Sequence, residues 1–460
     1  TGTNYVLPGG LPARTLYDSH NNELIAAATR HPSLQVLDWN SASHAHPEWF
    51  AGDGIHLTQA GAFGLANFIK AALDAQPAIG RCRASRALTG SPDVAGQPAA
   101  LPDTPTGFVP IEPVRVLDTR DPAAGGANGK LGAGRTVAID VASELPDDAE
   151  AAVLSVTAVD SCLPGFLTVF ACGGRPPTSN VNYEVGRTTA GMVITPMTDG
   201  EVCVFASSAT DVVVDVMGAF TPGGSRFHPI APTRWVDTRG ATSQSVLSPE
   251  ITGTRIAPAE TQVMLRGVGG VPSGATAVWL NLTVADPSAA TVLSAYPGPC
   301  GTAPLSSNVN ARPQRSMASS VLVGLGPDGS VCVRTFSGRS DIVIDVAGWF
   351  GPGSGGLRYR PITPERLLDT RANGGVADAA DHPLAIDGVA VLNVAAVDST
   401  ALGFVTVRPC GSSLLTSLVN TTTGEDTANV IAVAGDSAGN VCAKANVASH
   451  LVVDQVGAFS

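Results

Sequence analysis

The spacing of hydrophobic residues changes period along the chain. Apolar positions recur with helical spacing over Asp18 to Thr29 and again over Thr58 to Leu73, which predicts two amphipathic helices. Asp18 and Thr58 are placed as their N-caps, because a short side-chain oxygen accepts from the free N–H groups of a first turn. Between them, Leu34-Gln35-Val36-Leu37-Asp38-Trp39 predicts a buried strand, so this part of the chain has α/β punctuation. From about Pro77 to Gly107 the apolar period disappears among Pro, Ala, Ser, Thr and Gly, as in a linker. After Phe108 a period of two takes over, in segments such as Ala151-Ala152-Val153-Leu154-Ser155-Val156-Thr157, Ala277-Val278-Trp279-Leu280-Asn281-Leu282-Thr283 and Ala390-Val391-Leu392-Asn393-Val394-Ala395.

These strands belong to a pattern written three times. Each copy opens on an apolar-proline lead, Phe108-Val109-Pro110-Ile111, Phe227-His228-Pro229-Ile230 or Tyr359-Arg360-Pro361-Ile362. Next comes Leu117-Asp118-Thr119-Arg120, Val236-Asp237-Thr238-Arg239 or Leu368-Asp369-Thr370-Arg371. Later positions repeat Ser179-Asn180-Val181-Asn182, Ser307-Asn308-Val309-Asn310 and Ser417-Leu418-Val419-Asn420. Each copy closes on a Gly-x-aromatic ending, Gly218-Ala219-Phe220, Gly348-Trp349-Phe350 or Gly457-Ala458-Phe459. The expected layout is a partial α/β module over 1–78, a linker over 79–107, and β repeats over 108–222, 226–352 and 357–460. The fold class is therefore mainly β, with three tandem β-sandwich or jelly-roll-like domains, read as beads with separate cores, with docking between the beads left open. In the Asp-Thr-Arg motif, the acid and the base two residues apart share a strand face, which fits a structural tie through charge-assisted hydrogen bonds better than a triplicated site. The asparagines of Ser-Asn-x-Asn fit the same role, since Asn side chains commonly satisfy backbone groups in turns.

Composition narrows the function. Hydrophobic residues make up 44% of the 460, enough for several cores, and charged residues only 14%, while 51 Gly and 34 Pro favour short strands and tight turns. A net charge of -12 opposes a nucleic-acid partner. Aromatics at 5% argue against a lectin-like surface of exposed rings. Cys172 and Cys203, Cys300 and Cys332, and Cys410 and Cys442 fall at matching positions, so each repeat is expected to own one disulfide. Cys82 and Cys162 remain, and either pair with each other or leave Cys82 to a partner upstream of Thr1. Clustered C-x2-C ligands are absent, so neither a metal nor a cofactor is expected, and the disulfides imply an oxidising compartment, extracellular or at the cell surface.

The densest candidate chemistry is Asp53-Gly54-Ile55-His56, set after Asp38-Trp39 and His46-Pro47-Glu48-Trp49-Phe50 and before Leu57-Thr58 and Gly61. On these residues, over about positions 1–75, the chain resembles the SGNH hydrolase family, especially the extracytoplasmic SGNH domains fused to membrane acyltransferases of the peptidoglycan or polysaccharide O-acetyltransferase kind. The resemblance implies that Asp53 and His56 are the acid and base of a catalytic triad, the carboxylate fixing the imidazole that takes the serine proton. Gly2-Thr3-Asn4 resembles the family's Gly-x-Asn block, which implies Asn4 as an oxyanion donor. The family's nucleophilic serine, in a Gly-Asp-Ser block near the start of the domain, is expected upstream of Gly2, in a missing N-terminal half of the module. Ser19, Ser33, Ser41 and Ser43 lack that context.

Two functions follow as expectations. In one, the chain is the C-terminal portion of a secreted or cell-surface SGNH-type esterase or O-acyltransferase acting on cell-envelope polysaccharide or peptidoglycan, inactive alone, with the repeats serving display or attachment. In the other it is a non-catalytic structural protein whose repeats self-associate into a surface fibre or adhesive layer.

Overall fold

The computed structural model describes residues 22–27, 36–52, 56–74, 91–92, 97–126, 129–239, 259–301, 303–372, 377–413 and 416–460. The chain separates into two compact units, Thr1–Ala84 and Ser85–Ser460.

In the first unit, residues 22–27 are helical, followed by α1 (Trp39–Ser43), a 3-10 turn (Pro47–Trp49) and α2 (Gln59–Asp74). Thr58 caps α2 as the sequence predicts, its hydroxyl accepting from Gly61 N at 3.2 Å. Asp18 lies outside the described residues. The strand expected over 34–39 is not formed at its described positions: residues 36–38 are irregular, and Asp38 caps α1 by accepting from Ser41 N. Trp39 stacks on Trp49 and packs against Phe68, so the apolar residue that suggested a strand is spent on helix packing. Among the described residues of this unit the only β pairing is the bridge Phe50–Leu57.

Among its described residues the second unit has 24 strands, eight per repeat, beside a two-residue strand at Ser91–Pro92. Repeat 1 contains β1 (Gly107–Asp118), β2 (Arg135–Asp140), β3 (Ala151–Val159), β4 (Gly165–Ala171), β5 (Val181–Tyr183), β6 (Thr189–Pro196), β7 (Glu201–Ala206) and β8 (Asp211–Thr221). In repeat 2 these correspond to β9 (Arg226–Asp237), β10 (Glu260–Met264), β11 (Ala277–Ala285), β12 (Thr291–Pro297), β13 (Val309–Ala311), β14 (Met317–Gly324), β15 (Ser330–Thr335) and β16 (Asp341–Gly351). Repeat 3 supplies β17 (Tyr359–Asp369), β18 (His382–Ala385), β19 (Val389–Val397), β20 (Gly403–Pro409), β21 (Val419–Thr421), β22 (Thr427–Ala434), β23 (Asn440–Ala445) and β24 (His450–Phe459).

Every repeat forms two antiparallel sheets. One takes the strands in the order first, eighth, third, sixth; the other takes second, seventh, fourth, fifth. Ser91–Pro92 pairs with β2, so part of the Pro- and Ala-rich stretch adds an edge to repeat 1. The alternation along β3 sends Ala152, Leu154, Val156 and Ala158 into the space between the two sheets of repeat 1, and Ala151 and Val153 to the other side. That other side is also covered. The inner strands of the sheet that holds β3 are buried on both faces, which explains why β8 is buried at all eleven positions, its two aspartates included.

The cores are therefore only partly separate. Repeats 1 and 3 each keep a core between their sheets, but a third cluster draws residues from all three repeats. At its centre six aromatic rings meet: Phe108, Phe227 and Tyr359 from the leads, and Phe220, Phe350 and Phe459 from the endings, each at most 1% exposed. Their centroids lie 4.4 to 6.2 Å apart in the observed pairs, with Phe227–Phe459 at 4.5 Å and Phe220–Tyr359 at 4.4 Å. Each ring removed from water is worth about 2 kcal/mol. The Gly-x-aromatic ending now has a reason. A Cβ on Gly218, Gly348 or Gly457 would stand 2.6, 2.4 or 2.5 Å from the ring of Phe108, Phe227 or Tyr359 respectively, so each lead aromatic packs directly against a glycine.

The repeats join in a closed cycle. Phe108 bridges to Ser225, Phe227 to Leu357, and Tyr359 back to Thr106, each through a reciprocal pair of backbone hydrogen bonds of 2.7 to 2.9 Å. A second belt runs in the same sense: Ser155 Oγ donates to Ser307 O at 2.7 Å, Asn281 Nδ2 to Ser417 O at 2.6 Å, and Asn393 Nδ2 to Ser179 O at 2.7 Å. The serine of each Ser-x-x-Asn motif is thus a docking point for the neighbouring repeat. Where the first Asn is present, Asn180 and Asn308 accept from Val169 N and Ala295 N, both at 2.7 Å. Glu425 of repeat 3 also receives Arg312 of repeat 2 at 2.6 Å and Arg187 of repeat 1.

The three expected disulfides are formed, Cys172–Cys203, Cys300–Cys332 and Cys410–Cys442, with Cα–Cα distances of 4.9 to 5.2 Å. Cys162 is also in a disulfide; Cys82 lies outside the described residues. Three disulfides are the chemistry of a non-cytoplasmic, oxidising compartment. Among the described residues no helix is long and apolar enough to cross a membrane.

Candidate functional site

Of the three residues assigned by resemblance, Asn4 and Asp53 lie outside the described residues. His56 is exposed, and the described residues on either side of it are fixed. Ala51 N donates to His56 O at 2.7 Å, Thr58 N donates to Trp49 O at 2.9 Å, and the bridge Phe50–Leu57 closes the two sides. Phe50 thus follows a 3-10 turn, and Leu57 precedes the N-cap of α2.

Trp49 is the anchor of this frame. His46 stacks on it at 3.9 Å with planes 7° apart, and Trp39 stacks on it at 5.4 Å. Helix α2 approaches through Gly61 and Gly64: a Cβ on Gly61 would lie 2.0 Å from Trp49 O, and one on Gly64 would lie 2.8 Å from the indole. Both glycines are required by close approach rather than by flexibility. Glu48 accepts from His46 Nδ1 at 2.9 Å, and that hydrogen bond holds its carboxyl below the usual range. This orients His46 on the indole. The stacked pair forms a platform beside Phe50.

The tripeptide Gly-Asp-Ser does occur, at Gly435-Asp436-Ser437, but as a tight turn between β22 and β23. The Asp436 carboxylate accepts there from Ala438 N at 2.8 Å and Asn440 N at 2.9 Å, which occupies it structurally.

The Asp-Thr-Arg motif is a strand tie in all three repeats. Arg120 Nε and Nη2 donate to Asp118 at 2.8 and 2.7 Å, Arg239 to Asp237 at 2.9 and 2.6 Å, and Arg371 to Asp369 at 2.9 and 2.7 Å. Burial pulls the Asp118 and Asp237 carboxyls up, but the arginine hydrogen bonds and charges outweigh it and leave both below the ordinary value. The Arg371 hydrogen bond brings Asp369 down to about 2.

A second arginine, three residues ahead of each motif aspartate, was not singled out in the sequence. Arg115, Arg234 and Arg366 reach the buried strand carboxylates Asp215, Asp345 and Asp454, the first two through Nε at 2.9 Å. Burial raises all three of these carboxyls despite the arginines. The signal was available, since Arg recurs at that position in every copy. Arg115 Nη2 also donates to Leu305 O at 2.8 Å and Arg366 Nη2 to Pro177 O at 3.2 Å, extending the ties across repeat boundaries. An apolar cleft at the boundary of repeats 3 and 1, beside Leu101, Phe170, Pro196, Ile362 and Val456, contains no titratable side chain.

No family model matches the chain. It is 44% identical over 54 residues to the O-acetyltransferase OatA of Staphylococcus aureus (strain NCTC 8325 / PS 47), a stretch covering 12% of this chain and 9% of that protein. It is 41% identical over 59 residues to SAS0844 of Staphylococcus aureus (strain MSSA476), provisionally named an O-acetyltransferase, covering 13% of this chain and 10% of the relative. The chain thus spans about a tenth of the length of the curated relatives it matches. Among solved structures, the triple jelly roll of an archaeal virus turret is similar at a TM-score of 0.16 and 10% identity, covering 81% of this chain and 98% of that one. The tandem CBM22-1-CBM22-2 domain of Paenibacillus barcinonensis Xyn10C gives a TM-score of 0.16 and 9% identity over 58% of this chain and all of its own. Scores this low carry no structural argument, and the partial homology to O-acetyltransferases, which supports an acyltransferase-related role over a short segment, is what the comparisons contribute.

Proposed function

We propose that this chain is part of a cell-surface O-acyltransferase or esterase of SGNH type that works on polysaccharide or peptidoglycan of the envelope. The observation that carries the reading is the 44% identity over 54 residues to an O-acetyltransferase. In this reading Asp53 orients His56, His56 is the general base, Asn4 donates to the oxyanion, and the serine comes from sequence outside these 460 residues. Each repeat, with its strand orders of first-eighth-third-sixth and second-seventh-fourth-fifth, is a jelly roll. Together the repeats form an attachment or display body for the catalytic part.

The test is acetyl-ester hydrolysis and acetyl transfer by the native protein and by this 460-residue chain. The native protein turns over and loses about 10⁶-fold in kcat with His56→Ala, while the chain alone is inactive. Hydrolysis by the chain alone that His56→Ala abolishes would show a nucleophile within it; a native protein indifferent to His56→Ala would sink the catalytic reading.

A second reading, a structural surface protein, is favoured by the closed, disulfide-bonded body that makes up most of the chain. The contact that joins repeat to repeat is already used within one molecule, so a fibre would need a different surface. Ordered polymers of the purified chain in electron micrographs would support it.

A further inference from the structure

Lys130 stands apart from the other cations of the chain. There are three lysines against 24 arginines, and the buried carboxylates of the strand ties are all met by arginine. Asp211 instead meets Lys130, whose side chain is 5% exposed. Guanidinium is a poor nucleophile, whereas a desolvated amine is a good one.

The three N–H bonds of the ammonium match three acceptors. Nζ lies 2.6 Å from Asp211 Oδ2, 2.6 Å from the backbone oxygen of Asp160, and 3.3 Å from Asp160 Oδ2. The other oxygen of Asp211, Oδ1, accepts from Thr119 Oγ1 at 3.0 Å, and Thr119 Oγ1 in turn accepts from Val212 N. Both reacting residues sit on fixed backbone. Gly129 N donates to Thr119 O at 3.0 Å, and Leu131 and Thr210 exchange hydrogen bonds of 2.9 and 3.2 Å, so Lys130 and Asp211 each adjoin a bridged residue. Asp160 is held in the left-handed region at φ 48°, which turns its carbonyl toward the amine.

We propose that Lys130 and Asp211 condense to an intramolecular amide. One ammonium proton passes along the 2.6 Å hydrogen bond to Oδ2, leaving a neutral amine and a carboxylic acid. The Nζ lone pair attacks Cγ of Asp211, and the negative charge that develops on Oδ1 is met by the Thr119 hydroxyl. A second proton leaves nitrogen through Asp160, whose half-exposed carboxylate relays it to the Oδ2 hydroxyl. Oδ2 departs as water, Oδ1 becomes the amide oxygen, and the third hydrogen stays on nitrogen. No oxidant or other reactant is needed, and fixed neighbours of this kind reach effective molarities of about 10⁵ M or more. The bond ties the start of β8 to the loop ahead of β2, giving repeat 1 a crosslink that reductants cannot open. Repeat 3 lacks the arrangement, since His450 occupies the position of Asp211 and pairs with Thr370.

The experiment is the intact mass of natively purified protein after full reduction and denaturation, with peptide mapping. The expected result is a mass about 18 Da below the sequence value, one water, and a branched tryptic peptide joining Lys130 to Asp211. Lys130→Arg and Asp211→Ala restore the full mass, and Asp160→Asn leaves the protein largely unjoined. Because the wild-type measurement needs no variant to fold, it decides by itself. Full sequence mass with Lys130 open to an amine reagent after unfolding overturns the proposal, as does an 18 Da loss mapped to another site. Complete closure in Asp160→Asn overturns the relay.

Discussion

Replacing Gly348 with alanine should damage the whole second unit, because the perturbation falls where three repeats meet. The added Cβ would stand 2.4 and 2.5 Å from Cε2 and Cζ of Phe227 and 2.9 Å from His228 O. Carbon atoms rest about 3.5–4 Å apart, so the Phe227 ring must retreat by roughly 1 Å. It has no free side: its centroid is 5.0 Å from Phe350, 4.5 Å from Phe459 and 5.9 Å from Trp279. Overpacking of this kind costs about 1–3 kcal/mol, at the upper end when neighbours cannot yield. Urea unfolding followed by the fluorescence of the fully buried Trp235 and Trp279 measures it. Gly223→Ala is the control, since a Cβ there meets nothing within 4 Å, and it should stay within about 0.5 kcal/mol of wild type. Adding Phe227→Leu to Gly348→Ala should cost less than the two changes summed, by about 1 kcal/mol. If Gly348→Ala unfolds at the urea concentration of Gly223→Ala, or the pair is strictly additive, the aromatic hub does not carry the load assigned to it.

Two other outcomes follow from the same packing and charge pattern. Tyr359 is fully buried with no partner for its hydroxyl, while Phe108 and Phe227 hold the equivalent places, so Tyr359→Phe should stabilise the unit by about 1 kcal/mol in the same urea assay. In acid, Asp369 has a folded pKa near 2, below its unfolded value, so its contribution is present above about pH 4 and is lost as pH falls through about 2. Asp215, Asp345 and Asp454 are raised by burial and act with the opposite sign, favouring the folded state as they gain protons. Urea midpoints taken between pH 6 and pH 2 should therefore fall most steeply at the acid end, and Asp369→Asn should flatten that last fall.

The order of elements was largely legible in the linear pattern. Period-two segments located the strands, the matching cysteines located three disulfides, and Thr58 was a cap before α2 because capping is decided within one turn. The Asp-Thr-Arg motif was readable as a tie for the same reason, both partners lying two residues apart. Trp39 misled because an apolar residue at a strand-like position carries no record of what it packs on, here Trp49 and Phe68. Of the triad residues, only the context around His56 is described: the Phe50–Leu57 bridge beside a stacked His46–Trp49 pair.

By itself, then, the sequence determined whatever depends on neighbours along the chain: strand period, caps, turns, paired cysteines and the count of three. Only the tertiary structure decided that the three copies share a centre. That outcome rests on contacts between residues more than a hundred positions apart, such as Phe108 with Phe350 and Asn393 with Ser179. A Gly-x-Phe ending looks the same in the sequence whether its glycine faces solvent or an aromatic ring from the lead strand. Burial on a second face and the closing of repeat 3 onto repeat 1 are set by long-range packing, which local periodicity does not encode.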